Sequence, residues 1–326
     1  MEALEALNSL SGETMTLFVV DGESLLAGSL TDGDIRRALL AGHSLQTPVR
    51  EICRTDCLSI CSEDKRMDVI AEARRRDIYL LPVVEGGRIV SLLDLRIQLG
   101  IVPVDGVLMA GGAGERLRPL TENTPKPLLK VGERPIIDHN IALMRAFGID
   151  NIFVTVNYLK EQMKAHLDGV SVVEEQVKSG TIGSLSLIEG FRHSDVLVMN
   201  ADLLTDINLE SMYLKHTASR ACMTVAVVPY SVSVPFAIME HEADRITGLT
   251  EKPTYNYYAN AGIYIITREA IADIPRGAYM DATDLIELQI RKGRRVSLFP
   301  IEGKWIDIGS PDDYRRACET YALKSL

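Results

Sequence analysis

The chain has 326 residues, 46% hydrophobic and 25% charged, with a net charge of −10 and a pI near 5.2. That length accommodates two domains and the composition excludes disorder; the acidic balance argues against a nucleic-acid partner, which needs a basic patch to neutralise backbone phosphates. No apolar run approaches the roughly 20 residues of a membrane span, and the start Met1-Glu2-Ala3-Leu4 lacks a basic secretory region, so a cytoplasmic protein without membrane contact is expected.

In the first hundred residues one unit occurs twice. Leu17–Gly22 precedes Leu25–Ile35, and Leu80–Gly87 precedes Ile89–Leu95. Each copy reads as strand, turn, strand and then Thr/Ser-x-x-Asp: Thr31 with Asp34, and Ser91 with Asp94. Internal repetition of this size signals two copies of one supersecondary unit. Helical spacing places Ile35, Ala38 and Leu39 after the first copy and Val69, Ile70 and Ala73 before the second. The repeat resembles a tandem CBS-domain pair over residues 1–102, with the first copy starting late because Met1 already stands in its first helix. The resemblance implies an adenine nucleotide held by Thr31, Asp34, Ser91 and Asp94, or a module that only dimerises the chain. Asp and Thr are also favoured helix caps, so capping alone explains the same residues.

Five cysteines, Cys53, Cys57, Cys61, Cys222 and Cys318, make an odd number that does not suggest a disulfide framework. The spacing of the first three invites a metal, but structural zinc sites show tighter pairs and a second pair elsewhere. Small apolar residues in a linker are the other reading.

Beyond Val104, strands and helices alternate as in an α/β domain. Val107–Ala110 reads as a buried strand, and Gly111, Gly112 and Gly114 follow it. Glycines there let backbone N–H groups approach an anion closely. The loop lacks the Lys-Ser/Thr of a Walker loop, and Leu117 stands where a dinucleotide fingerprint needs glycine. Glycine spacing alone is also that of an ordinary turn with chance basic neighbours. The local charge adds to it: residues 116–130 carry Arg116, Arg118, Lys126 and Lys130 against Glu122 alone. Ile137, Ile141, Met144 and Gly148 outline a helix with a glycine stop, Ile152–Val156 a strand, Ile182, Leu185, Ile188 and Phe191 a second helix, and Val196–Met199 a central strand. Asp202 stands at the carboxyl end of that last strand, where ligands gather in open α/β sheets. Asp307 lies between apolar residues after the strand Val296–Pro300. A Mg²⁺ ion takes one or two protein carboxylates, which makes the two aspartates a candidate metal pair.

The run Val107–Thr121 with Pro125-Lys126-Pro127-Leu128 resembles the signature of sugar-nucleotide pyrophosphorylases, and matches continue to Leu326. The resemblance implies a Rossmann-like, GT-A-like domain over residues 103–326 with a mixed, mostly parallel sheet. It implies an NTP and a sugar 1-phosphate as substrates, Mg²⁺ as cofactor and a homodimer or higher homo-oligomer. Arg116 and Lys126 then act on the phosphates, with prolines holding Lys126 extended. Ala110, Gly111, Gly112, Gly114, Glu175, Gly180 and Asp202 then bind the nucleotide, although two extra residues separate Glu175 from the glycines of its loop. By donor counting, Glu175 could accept both guanine N1–H and the 2-amino group. Glu251, Lys252, Asn260 and Gly262 match the sugar-phosphate positions, whereas Ala237 replaces a glycine usual near the sugar. The order of the two modules is similar to guanylyltransferases of bacterial legionaminic acid synthesis, which points to GTP and glucosamine 1-phosphate. GTP with mannose or heptose 1-phosphate, UTP or dTTP with glucose 1-phosphate, and a non-catalytic nucleotide sensor are the alternatives.

Overall fold

The computed structural model describes residues 1–10, 15–61 and 66–322, which divide into two units, Met1–Ile101 and Val102–Leu326. Residues 323–326, with which the second domain expected from the sequence ends, lie outside the described residues.

Unit 1 opens with α1 (Glu2–Ser9), the antiparallel hairpin of β1 (Thr16–Val20) and β2 (Leu26–Thr31), α2 (Asp32–Leu40) and a short α3 (Val49–Ile52). Its second half joins β3 (Ile60–Cys61), α4 (Arg66–Arg75) and the hairpin of β4 (Leu80–Glu85) with β5 (Arg88–Asp94). Leu7, Leu30 and Ile35 make one small core, and Ile60, Ile70, Ala73, Leu81 and Leu93 another.

Thr31 is the N-cap of α2, in a reciprocal capping box: its Oγ1 accepts the Asp34 N–H at 3.3 Å, and Asp34 accepts the Thr31 N–H at 2.8 Å and its hydroxyl at 2.6 Å. Asp34 is 6% exposed and also pairs with Arg37, so its carboxylate serves its own helix. The second pair does not repeat this. Ser91 is exposed within β5 opposite Val83, and Asp94 closes that strand on Arg96, with no helix in the turn that follows. Three-residue spacing closes a cap at a helix start but sends side chains to opposite faces of a strand. Cys53 ends α3 and Cys61 lies in β3; the five cysteines form no disulfide with one another, and no cluster of three or more His, Cys, Asp or Glu gathers among the described residues.

Unit 2 runs β6 (Asp105–Ala110), β7 (Lys130–Val131), β8 (Arg134–Pro135), α5 (Ile136–Ala146), β9 (Ile152–Val156), α6 (Lys160–His166) and β10 (Ser171–Glu174). There follow β11 (Asp195–Asn200), β12 (Leu203–Thr205), α7 (Leu209–Ser219), β13 (Met223–Ser233), β14 (Ile238–Glu242), β15 (Arg245–Thr250) and β16 (Thr254–Thr267). The chain closes with α8 (Arg268–Ile271), α9 (Ala282–Arg291), β17 (Val296–Pro300), β18 (Trp305–Asp307) and α10 (Pro311–Ala322). Seven strands form one sheet in the order β10-β9-β6-β11-β16-β13-β17; β16 runs antiparallel to both neighbours and every other pair is parallel.

Alternate residues of the central strands feed two cores. Leu108, Val154, Leu197 and Met199 face one, while Val107, Phe153, Val196 and Val198 face the other. Burial on both faces is what a central parallel strand requires, and it accounts for the continuous apolar runs. Gly148 at φ +72° stands just past the end of α5, the left-handed position that favours glycine.

The helix expected over Ile182–Phe191 is only a 3-10 turn, Gly183–Leu187. Its first N–H groups, from Ile182 and Gly183, donate to the Met280 carbonyl at 3.1 Å, which ties the segment to the approach of α9. No sequence pattern announced β12 and β18, a three-residue antiparallel ladder off the main sheet.

Candidate active site

The polypeptide leaves β6 through the glycine loop. Gly114 sits at φ +62°, and a Cβ there would lie 3.0 Å from Thr121 Cγ2 and 3.1 Å from Lys126 Cβ, so glycine is needed for both backbone and space. Thr121 is fully buried and donates its hydroxyl to the Gly114 carbonyl at 2.7 Å, while the Tyr158 hydroxyl donates to the Thr121 and Glu122 carbonyls at 3.1 and 2.9 Å. The loop is thereby braced from behind. Arg116 lies in the 3-10 turn Glu115–Leu117, which Leu117 anchors in a core beside Ile308. Its guanidinium is exposed and reaches toward Gly309.

Lys126 is not extended as its flanking prolines suggested. It heads a 3-10 turn, Lys126–Leu128, closed by Leu128 N–H on the Pro125 carbonyl at 2.8 Å. Proline fits that first turn because its missing N–H would find no intrahelical partner there. The lysine side chain is 9% exposed, and its Nζ meets Asp202 Oδ2 at 2.5 Å. Asp202 follows β11 directly. The β12–β18 ladder sets Leu203 opposite Asp307, and Ile308 N–H donates to the Asp202 carbonyl at 3.2 Å. Trp305 secures the ladder by donating its indole N–H to the Ala261 carbonyl at 2.9 Å. Burial, and next the negative charge of Asp202, push the Asp307 carboxyl above its ordinary range, whereas Lys126 and Arg116 pull it down. Asp202 Oδ1 is buried with no hydrogen-bond partner.

Arg116, Lys126 and Asp202 border an open cleft of about 360 Å³, which Ala110, Gly112, Gly114 and Gly309 also line, whereas Asp307 is not among its lining residues. Lys178 lines it too, a residue that sequence reasoning passed over. The available signal was a cation between Glu175 and Gly180.

The remaining candidates are placed unevenly. Glu175 is 5% exposed; its Oε2 accepts the Ser179 N–H at 3.2 Å, and Oε1 lies 2.8 Å from where a Gly111 Cβ would stand. One oxygen of this buried carboxylate is thus engaged within its own loop, and the other packs on Gly111. Gly111 is glycine because Glu175 packs on it. Gly180, at φ +78°, presses on the Met280 carbonyl, 2.5 Å from an added Cβ, and so serves the fit between two segments of the chain. Gly262, at φ +73°, lies against Asn200, whose Nδ2 would stand 2.5 Å from a Cβ, and it donates to Asn260 Oδ1 at 2.9 Å. That places the bend of β16 next to the residues leading into Asp202. Glu251 and Lys252 are exposed beyond β15, Lys252 at φ +44°, and neither lines the cleft.

Cations and carboxylates converging at the carboxyl ends of parallel strands make unit 2 a phosphate-handling α/β domain by class. The family model "Nucleotidyl transferase" matches residues 105–324, and the chain belongs to that family. The matched residues lie within unit 2. It is 32% identical over 226 residues to mannose-1-phosphate guanyltransferase of Candida albicans, covering 64% of this chain and 62% of that protein. To the enzyme of the same name from Kluyveromyces lactis it is 31% identical over 245 residues, 68% of this chain and 65% of the relative. The chain thus spans less than two thirds of the length of these relatives. The solved UDP-glucose pyrophosphorylase from Acinetobacter baumanii shares the fold, with a TM-score of 0.52, 18% identity and coverage of 68% of this chain and 94% of that one. Among the described residues, no helix is long and apolar enough to cross a membrane.

Proposed function

We propose that unit 2 transfers a nucleotidyl group from an NTP to a sugar 1-phosphate, releasing pyrophosphate. The observation that carries this is the buried Lys126–Asp202 pair set between the glycine loop and Asp307. A sugar-phosphate oxygen attacks the α-phosphorus in line; the bond to the bridging oxygen of pyrophosphate breaks, and the nucleotide sugar forms. Such chemistry asks the protein for positioning and charge compensation, since little proton transfer is needed. Lys126 sits where it can bridge the α-phosphate and the incoming sugar phosphate, and Arg116 holds the departing pyrophosphate. The orphaned Asp202 Oδ1 and the destabilised charge on Asp307 suit a divalent cation. Mg²⁺ bound by Asp202 and Asp307 would neutralise charge on the transferred group.

GTP is the nucleotide favoured by the names of the curated relatives, and mannose 1-phosphate is their sugar. Glucosamine 1-phosphate is the second reading, favoured by an N-terminal unit ahead of a compact transferase. Pyrophosphate release should be measured for GTP, ATP, CTP, UTP and dTTP against mannose, glucosamine and glucose 1-phosphates with Mg²⁺. GTP-selective release supports the proposal; folded protein that turns over no pair would favour the non-catalytic sensor. Adenine-nucleotide control through unit 1 is a separate proposal, and calorimetry with AMP and ATP on the full chain tests it. The cap geometry of Thr31 and Asp34 lends that proposal no support.

A further inference from the structure

We infer that Lys178 is a third cation for the outer phosphates of the nucleotide, an inference that rests on the transferase reading above. Lys178 shares the lining of the cleft with Gly112, Gly114, Arg116 and Lys126. Among the described residues Lys178 takes part in no salt bridge, and its side chain is exposed. Asp281, the carboxylate that senses its charge, is already engaged: Oδ1 accepts from the Thr181 N–H at 3.0 Å, and Oδ2 from the Tyr279 hydroxyl at 2.9 Å.

The backbone beneath Lys178 is fixed at both feet. Glu175 accepts the Ser179 N–H, and Ser179, 3% exposed, accepts the Met280 N–H at 3.0 Å. Ser179 also donates its hydroxyl to the Val177 carbonyl at 2.9 Å. Gly180 then packs on the Met280 carbonyl, where a Cβ would not fit. Residues 176–178 are the exposed crown of a closed turn. Mounting a flexible lysine on a rigid turn reduces the ordering cost of the contact it makes.

Charge decides which part of the ligand it meets. Lys126 is paired with Asp202 just beyond β11, where the two carboxylates mark the α-phosphorus. Among the described residues, Arg116 and Lys178 are the lining cations with no carboxylate bound to them. The β and γ phosphates carry most of the negative charge of an NTP and leave as pyrophosphate, so they extend toward those two groups.

The test uses the full chain with Lys178→Ala, Lys178→Glu and Lys178→Arg. Calorimetry measures GTP, GMP and inorganic pyrophosphate, and steady-state kinetics follow where turnover exists. Alanine should weaken GTP and pyrophosphate by about 10- to 100-fold. GMP should be unchanged, glutamate should be worse, arginine should restore most of the affinity, and the KM for sugar 1-phosphate should stay within about twofold. Equal GTP and pyrophosphate affinity in wild type and Lys178→Ala overturns the inference, as does a loss of GMP affinity equal to that of GTP. Absence of turnover in the wild type, with these binding differences intact, would count against transferase activity while leaving Lys178 on the phosphates.

Discussion

The backbone N–H of Ile308 donates to the carbonyl of Asp202 at 3.2 Å, and that bond brings Asp307 beside Asp202 from a distant part of the chain. Asp202 immediately precedes β12 and Ile308 immediately follows β18, two short strands whose pairing lies outside the main sheet. The carboxylate pair therefore depends on both: the seven-stranded sheet delivers Asp202 after β11, and the local ladder brings Asp307 to it.

Replacing Lys126 by alanine should lower kcat by about a thousandfold or more, since it removes the cation nearest the reacting phosphates. The same change leaves Asp202 partly buried without its partner, so stability should fall by about 1–3 kcal/mol without loss of fold. Urea titration beside a turnover assay separates the two effects. Near-normal kcat would remove Lys126 from the chemistry.

Gly114→Ala puts a methyl group 3.0 Å from Thr121 Cγ2 at a backbone angle of φ +62°. Strain of this kind costs about 1–3 kcal/mol. Because the loop carries Arg116, the expected pattern is a modest drop in melting temperature with a larger rise in the KM for NTP. Wild-type KM in a stable Gly114→Ala protein would show that the loop does not shape the nucleotide site.

Glu175 tests its two readings against each other. As the anchor of the Lys178 turn it needs only an acceptor for the Ser179 N–H, so Glu175→Gln should keep NTP affinity and base preference, while Glu175→Ala should loosen the turn and weaken every NTP alike. A loss of GTP preference in Glu175→Gln would restore the carboxylate to guanine recognition.

The Asp202–Asp307 pair predicts Mn²⁺ or Mg²⁺ binding that Asp307→Asn weakens by roughly tenfold or more, through loss of one anionic ligand. Titration with Mn²⁺ followed by paramagnetic relaxation of water measures it without reference to turnover. Unchanged binding in that variant would place the cation elsewhere.

Lys160 and Lys164 both reach Glu174 at the end of β10, and hydrogen bonds from Lys160 first, then Lys164, hold its carboxyl down to about 2. A carboxyl lowered on folding adds stability that is present above its unfolded value near 4.5 and is lost as pH falls toward 2. Lys160→Ala should move the Glu174 titration upward, toward 4.5, in carbon-detected NMR. The group is exposed, so salt should shrink the effect. No movement in the titration would show that the pairs do not persist in solution.

Much of unit 2 was legible because its chemistry is local. The strands β6, β9 and β11 are buried on both faces, and such strands announce themselves as apolar runs whatever they pack against. The hairpins of unit 1 were legible instead from the glycine turns between their strands, since β1 and β5 are mostly half-buried or exposed. The Thr31–Asp34 cap and the Ser91–Asp94 pair share one spacing, yet only the first opens a helix, because a string of residues does not state which period the backbone adopts. Apolar residues at helical spacing over Ile182–Phe191 do not state how many turns form, and the structure makes only the 3-10 turn Gly183–Leu187 there.

The division between sequence and structure follows from the range of the forces involved. The amino-acid order by itself determined the strand-loop-cation series from Val107 to Lys126, since a buried strand, a glycine turn and nearby charges need no distant partner. Tertiary structure alone decided three things: that Asp307 stands beside Asp202, that Glu175 turns inward onto Gly111, and that Lys178 reaches the cleft. Each depends on hydrogen bonds or close packing between segments far apart in the chain, which only the folded backbone brings within a few ångströms.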